Sequence, residues 1–150
     1  MRFRESVSEF APRVVGVYET VVYATDVPTA ARFYAEALGL HLLEQPTELS
    51  AAFRLPDGGV LLIFDAARSS APGRPVPSHG ANGAGHVAFS VELGTLDAFA
   101  DELRAVGIEI EQEVTWDEGG RSVYVRDSAG NSVELVEGEA WRITPPDTAG

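Results

Sequence analysis

Three side chains of metal-binding type occupy comparable places in segments with strand character. Glu134 lies in "NSVELVEG", His86 begins "HVAFSVE", and Glu19 lies in "VYETVVYATD". Successive side chains of a strand point to opposite faces, so Glu134 lies opposite Val133 and Leu135. If those two apolar residues face the core under a helix, Glu134 faces the other side. The same alternation places His86 and Glu19 on the corresponding faces of their own strands.

An imidazole and two carboxylates that converge without a basic partner form a suitable site for a divalent metal ion. Zn, Ni, Mn, Co and Fe all accept such ligands, and three protein ligands leave positions for water or substrate. An alternative to metal binding stays open at this point: each Glu is solvated on its own strand, and His86 has a structural role.

The composition excludes several other kinds of chemistry. The chain has 150 residues and a net charge of -12, with no Cys, and all 11 basic residues are Arg. Thiol nucleophiles, disulfides, Schiff bases and the phosphate-binding loop with its lysine are therefore excluded. The acidic balance disfavours nucleic acid and anionic membranes as partners. The sequence shows neither a membrane-spanning run nor a signal peptide, so we expect a cytoplasmic protein.

The elements that must position these residues occur twice along the chain. Each half has the order β-α-β-β-β, and a glycine ends each helix, Gly39 in one half and Gly107 in the other. Gly59 and Gly130 lie at corresponding hairpin turns. We predict an α+β fold in which two tandem modules form a curved, cup-shaped mixed sheet with helices on its outer face. The expected boundaries are an N-terminal extension 1–16, modules 17–66 and 86–141, a linker 67–85 and a tail 142–150.

Three stretches resemble a known family. They are "ETVVYATDVPTAARFYAEALGLHLL", "GHVAFSV" and "YVRDSAGNSVELVEGEAW". Together they resemble the vicinal oxygen chelate superfamily, which includes glyoxalase I, fosfomycin-resistance thiol transferases, extradiol dioxygenases and bleomycin-resistance proteins. The resemblance spans about residues 17–141. It implies the fold predicted above and a cup that holds a small molecule.

The resemblance also implies a set of metal ligands: Glu19, His86 and Glu134. The first of these positions is most often His in the superfamily and is Glu here, so the resemblance leaves Zn, Ni, Mn, Co and Fe as alternatives. Glyoxalase I has a further Glu on the last strand of the first module, and alignment of Gly59 with Gly130 places Ile63 there. This missing acid disfavours glyoxalase I itself. Three ligands on three strands are closer to the thiol-transferase branch, whose cationic clamp Arg121 or Arg126 would have to supply.

Two classes of function follow from the resemblance. One is a divalent-metal-dependent enzyme that chelates a small substrate through vicinal oxygens, as a lyase, isomerase or thiol transferase, or as an extradiol-type dioxygenase. Glu19 or Glu134 would act as base, Arg121 and Tyr124 would contact the substrate, and His79 could reach the site from the linker. The other class is a metal-free binding protein of the bleomycin-resistance type. We expect a homodimer in either case.

Overall fold

The computed structural model describes residues 11–141. The predicted tail 142–150 and most of the predicted N-terminal extension therefore lie outside the described residues. The strands are β1 (Glu19–Tyr23), β2 (His41–Leu42), β3 (Ser50–Arg54), β4 (Val60–Phe64), β5 (His86–Ser90), β6 (Gln112–Thr115), β7 (Arg121–Arg126) and β8 (Ser132–Glu137). The helices are α1 (Val27–Arg32), which continues as a π-helical turn (Phe33–Ala37), α2 (Ala66–Ser69) and α3 (Leu96–Ala105). None of these helices is long and apolar enough to cross a membrane.

The strands form two mixed four-stranded sheets of identical topology. Their orders are β1-β4-β3-β2 and β5-β8-β7-β6. In each sheet the first strand pairs in parallel with the last, and the other pairs are antiparallel. The α+β fold with two β-α-β-β-β modules is confirmed. Within the described residues the strands belong to two open sheets, with β1 and β5 each at a sheet edge.

Local sequence explains where the long helices begin and end. The carboxylate of Asp26 accepts hydrogen bonds from the backbone N–H of Thr29 at 3.1 Å and from its hydroxyl at 2.8 Å, which caps the start of α1. Gly39 and Gly107 have φ angles of 70° and 85°. A residue with a Cβ rarely adopts these values, so the two predicted helix ends are explained.

Contacts next to three elements bear on their bounds. Strand β2 covers His41–Leu42 only, and the N–H of Leu43 just beyond it still bonds the carbonyl of Ala52 at 2.9 Å. Strand β6 covers Gln112–Thr115, while the N–H of Ile108 bonds the carbonyl of Leu103 at the end of α3, at 2.9 Å. The predicted linker contains part of α2, whose first turn Asp65 caps through the N–H of Arg68 at 2.9 Å.

The two modules are joined through a buried carboxylate in the turn between β7 and β8. Asp127 is only 5 % exposed, and it accepts a hydrogen bond from the hydroxyl of the fully buried Tyr34 at 2.7 Å. Asn131, from the same turn, donates to the carbonyl of Tyr23 at 2.9 Å. Burial, followed by the bond to Asp127 and its charge, raises the pKa of Tyr34, so its hydroxyl remains a donor. These contacts attach the second module to β1 and to the π-helical turn after α1 in the first.

Candidate metal centre

The register of β5 and β8 places His86 and Glu134 on one face of the second sheet. His86 pairs with Ser132, and Ala88 pairs with Glu134. Val133 and Leu135, at 0 % and 1 % exposure, lie on the opposite, core-facing side as predicted. Nε2 of His86 lies 3.3 Å from Oε1 of Glu134. The sequence thus predicted correctly which way Glu134 points, and the fold adds direct contact with His86.

Hydrogen bonding to Ser132 orients the ring of His86. Its Nδ1 lies 3.2 Å from the carbonyl oxygen of Ser132 and 3.2 Å from the hydroxyl of the same residue. A carbonyl oxygen can only accept, so Nδ1 carries the proton in that bond. Nε2, the nitrogen that faces Glu134, is then the ring atom that would bind an ion. A backbone carbonyl that orients an imidazole in this way is the usual support of a metal-ligating His.

Glu134 is held in place by two residues that the sequence analysis did not select. Its side chain is largely buried, and Oε2 accepts a hydrogen bond from the hydroxyl of Ser122 at 2.6 Å. That hydroxyl accepts in turn from Nε1 of Trp116 at 2.8 Å. Strand alternation could have shown that Ser122 shares a face with Tyr124, but nothing in the sequence indicated the bond to Trp116.

Tyr124, one of the residues predicted to contact a substrate, lies beside the pair formed by His86 and Glu134. It is the direct partner of Glu134 in the register of β7 and β8. Its ring stacks on that of His86, with centroids 6.3 Å apart and planes at 22°. Desolvation, followed by the charge of Glu134 and a hydrogen bond to it, raises the pKa of Tyr124 above its ordinary value of 10.0. The phenol therefore stays protonated at neutral pH and remains a hydrogen-bond donor.

Arg121, the other residue predicted to contact a substrate, lies on the opposite face of β7 from Tyr124. It lies three residues before Tyr124 on β7, and alternation puts the two side chains on opposite faces. Its guanidinium pairs with Asp97 on α3 at 2.6 Å. Arg126, the other candidate for a cationic clamp, pairs with Glu111 at 2.8 Å. Both guanidinium groups are thus already bonded to carboxylates of the chain.

His79 lies on the first module, away from the pair formed by His86 and Glu134. Its Nδ1 is 2.8 Å from the hydroxyl of Tyr23, and its ring meets Phe64 edge to face at a centroid distance of 4.7 Å. The linker is held by Ser69, whose hydroxyl donates to the carbonyl of His79 at 2.7 Å. His79 therefore packs on the sheet of its own module.

Glu19 occupies the place in the first module that His86 occupies in the second, as predicted. It begins β1 and pairs with Val60, just as His86 begins β5 and pairs with Ser132. Its side chain is exposed. Among residues 11–141, however, no three His, Asp or Glu side chains lie close enough to hold one metal ion together. A single chain brings His86 and Glu134 together, and Glu19 does not join them.

The residue equivalent to Glu134 in the first module is Leu62 instead of Ile63. Leu62 pairs with Val21 just as Glu134 pairs with Ala88. Ile63 is fully buried on the core side. The sequence alignment used Gly59, whereas the turn residue with positive φ is Gly58 at 93°, matching Gly130 at 87°. The conclusion about a missing acid survives this shift of one position, since Leu62 is also apolar.

The donor atoms of His86 and Glu134 suit two ligands of one ion. Ligands about 2.1 Å from an ion, separated by roughly 90–109° at the metal, lie about 3.0–3.4 Å from each other. The observed separation between Nε2 and Oε1 is 3.3 Å. No basic side chain of the described residues forms a salt bridge with Glu134 apart from this imidazole. The pair thus fits a divalent ion, as part of a site that needs further ligands.

Comparisons with known proteins agree with this architecture. The family model "Glyoxalase/Bleomycin resistance protein/Dioxygenase superfamily" matches residues 16–135. A structure titled lactoylglutathione lyase from Agrobacterium tumefaciens is 34% identical, with a TM-score of 0.81, over 87% of this chain and 98% of that one. The chain therefore belongs to the Glyoxalase/Bleomycin resistance protein/Dioxygenase superfamily.

Two further solved structures are similar at lower identity. A glyoxalase/dioxygenase from Nostoc punctiforme is 26% identical, with a TM-score of 0.64, over 90% of this chain and 99% of that one. A structure titled "Oxidase ChaP-H2" is 25% identical, with a TM-score of 0.64, over 85% of this chain and 96% of that one. No curated protein matches the sequence significantly. The relatives thus carry the names of both lyases and oxidases.

Proposed function

We propose that this protein is a divalent-metal-dependent enzyme of its superfamily, with His86 and Glu134 as ligands from one chain. The observation that carries the proposal is their contact at 3.3 Å, with the imidazole proton held on the far nitrogen by Ser132. Burial of a carboxylate such as that of Glu134 is costly unless its charge is compensated. A divalent cation would compensate the negative charge of Glu134. The metal is one of Zn, Ni, Mn, Co or Fe.

Glu19 of a second copy would supply the third ligand in a homodimer. The segment just before Glu19 supports such an assembly. Four large apolar side chains lie close together in this segment and are exposed to solvent: Val14 at 91%, Val15 at 97%, Val17 at 81% and Tyr18 at 80% exposure. An exposed apolar strip of this kind is typical of a surface that another protein covers. The edge strands β1 and β5 could pair with this segment of a second copy.

The site would bind a small molecule through two neighbouring oxygens. A bound ion would act as a Lewis acid on those oxygens. Tyr124, kept protonated by its raised pKa, would donate a hydrogen bond to a developing oxyanion. Glu134 is held by Ser122, which leaves Glu19 as the more mobile carboxylate and the better candidate for a base.

The reaction is proposed to be of the lyase, isomerase or thiol-transferase type. The structure titled lactoylglutathione lyase supports this general class. Leu62 stands where glyoxalase I would have its further acid, which argues against that particular reaction. A set of one His and two Glu also differs from the ligands of extradiol dioxygenases, so that reaction is the less favoured enzymatic alternative. A cytoplasmic location, with neither nucleic acid nor membrane as partner, stays a prediction.

A metal-free binding protein is the second candidate, and one observation favours it. Every buried side-chain nitrogen and oxygen of residues 11–141 already has a hydrogen-bond partner. Oε2 of Glu134 is bonded to Ser122, and Oε1 contacts His86. An ion is therefore not needed to satisfy these atoms. Metal binding by the purified protein decides between the two candidates.

The proposal of a shared site predicts complementation between two inactive variants. Glu19→Gln and Glu134→Gln should each bind metal weakly as homodimers. A mixed dimer has one site with both substitutions and one site with neither, because His86 and Glu134 come from one chain and Glu19 from the other. We expect mixing, after partial unfolding and refolding, to restore about one tight site per mixed dimer. The measurement is cobalt titration of the mixture.

The matched control is a mixture of Glu134→Gln with His86→Ala. Both substitutions affect the same module, so every site of this mixed dimer contains one of them. No tight site should appear there. If the first mixture also restores no site, Glu19 of a second copy is not a ligand, although the pair formed by His86 and Glu134 could still bind an ion.

A further inference from the structure

A chain of two hydrogen bonds determines how Glu134 presents its carboxylate. Nε1 of Trp116 donates to the hydroxyl oxygen of Ser122 at 2.8 Å, and that hydroxyl donates to Oε2 of Glu134 at 2.6 Å. Ser122 is fully buried. Its hydroxyl is therefore shielded from bulk solvent. The hydroxyl of Ser122 is thus held on one side by Trp116 and on the other by Glu134.

The direction of this chain is fixed by chemistry. An indole N–H can donate but cannot accept, so the oxygen of Ser122 must be the acceptor from Trp116. The single hydroxyl proton of Ser122 then has one partner left, the carboxylate of Glu134. A bond of 2.6 Å to an ionised oxygen is of the short, charge-assisted kind. Trp116 thus directs the proton of Ser122 toward Glu134.

The hairpin between β6 and β7 holds Trp116 in position. The N–H of Trp116 bonds the carbonyl of Gly120 at 2.8 Å, and the N–H of Gly119 bonds the carbonyl of Trp116 at 3.0 Å. Ser122 lies two residues beyond the hairpin and pairs with Val136 on β8. Val136 is the next residue after Glu134 on the same face of that strand, so Ser122 is a diagonal neighbour of Glu134. The indole, the hydroxyl and the carboxylate are therefore all attached to rigid backbone.

We infer that Ser122 is a positioning residue, oriented by Trp116, which holds Glu134 as a ligand through one oxygen. With Oε2 engaged, only Oε1 faces His86. Without Ser122 the carboxylate could rotate and offer both oxygens. A ligand fixed in one orientation loses less freedom when the ion binds, so the affinity is higher. This inference rests on the proposed metal centre.

The test is cobalt binding by Ser122→Ala, which removes the hydroxyl and leaves the strand unchanged. We expect the affinity for Co²⁺ to fall roughly 10- to 100-fold, the usual effect of losing a group that orients a ligand. The visible spectrum of bound cobalt should also change toward the weaker bands of a higher coordination number, because Glu134 can then bind through two oxygens. A merely structural role of Ser122 would not alter the spectrum of the cobalt that does bind.

A second readout uses the fluorescence of Trp116. The chain has two Trp residues, and Trp141 can be replaced by Phe because it is 86% exposed. In that background the emission of Trp116 should change when cobalt or zinc binds, and Ser122→Ala should remove the change with zinc. If Ser122→Ala fails to fold, Trp116→Phe tests the same two hydrogen bonds, because it removes the donor to Ser122. Its effect is measured by the visible spectrum of bound cobalt. We expect it to weaken cobalt binding by a smaller factor.

Ser128→Ala is the matched control, since Ser128 is an exposed residue in the next turn. It should bind cobalt like the wild type. If the wild type binds cobalt and Ser122→Ala binds it with the same affinity and spectrum, the inference is overturned while the proposed function stands. If the wild type binds none of Co²⁺, Ni²⁺, Zn²⁺, Mn²⁺ and Fe²⁺, both are overturned; if it binds another of these ions instead of cobalt, the affinities are compared with that ion.

Discussion

Replacement of Glu134 by Gln should lower the affinity for a divalent metal ion by more than about 100-fold, which exceeds the loss expected for a merely supporting group. Gln has nearly the same shape as Glu, and its carbonyl oxygen can still accept from Ser122. The change therefore removes the charge that attracts the ion while the fold is kept. Isothermal titration with Co²⁺ or Zn²⁺, beside a urea unfolding curve, measures both properties.

Glu118→Gln provides the control for this experiment. Glu118 is exposed in the hairpin between β6 and β7, so its replacement changes the net charge equally without touching the pair. It should leave the affinity unchanged. If Glu134→Gln binds metal as tightly as Glu118→Gln, the charge of Glu134 is not part of the centre.

Asp127→Ala should destabilise the folded chain by at least about 3 kcal/mol, because several buried donors would lose their acceptor at once. The carboxylate of Asp127 accepts four hydrogen bonds. The donors are the Tyr34 hydroxyl, the N–H groups of Ala129 and Asn131, and the Asn131 side-chain amide. Two of these residues also tie the second module to the first. The free energy of unfolding in urea measures the loss.

Two variants bracket this result. Tyr34→Phe removes one of the four bonds and should cost about 1–2 kcal/mol, since Asp127 keeps its other donors. Asp117→Ala removes an exposed carboxylate and should change the stability by less than about 0.5 kcal/mol. Equal stabilities of Asp127→Ala and Asp117→Ala would show that the buried turn does not hold the modules together.

The face of each strand could be predicted from the sequence, because alternation follows from backbone geometry. Glu134 and His86 share a face for this reason. The same rule, applied to β7, would have excluded Arg121, since residues three apart on a strand point in opposite directions. The sequence analysis selected Arg121 for its charge and its nearness to a loop, without applying this rule. Its partner Asp97 lies 24 residues earlier, on a helix that sequence spacing alone does not bring near.

The register between the halves could be predicted only to within one residue. Two glycines stand side by side at the first turn, and only the backbone angles identify Gly58 as the one with positive φ. With Gly58 instead of Gly59 aligned to Gly130, the residue of the first module that corresponds to Glu134 is Leu62 and not Ile63. The placement of the modules relative to each other was beyond the sequence. It depends on contacts between distant residues such as Tyr34 and Asp127, and it separates Glu19 from the pair.

Metal titration of the wild-type protein tests the central claim most directly. Protein stripped with a chelator and then titrated with Co²⁺, Ni²⁺, Zn²⁺, Mn²⁺ or Fe²⁺ should bind one of these ions at about one equivalent per chain, as expected for a site with three protein ligands. Binding should disappear in the double variant His86→Ala, Glu134→Gln. Less than about a tenth of an equivalent of every ion would contradict a metal centre at His86 and Glu134 and favour a metal-free binding protein.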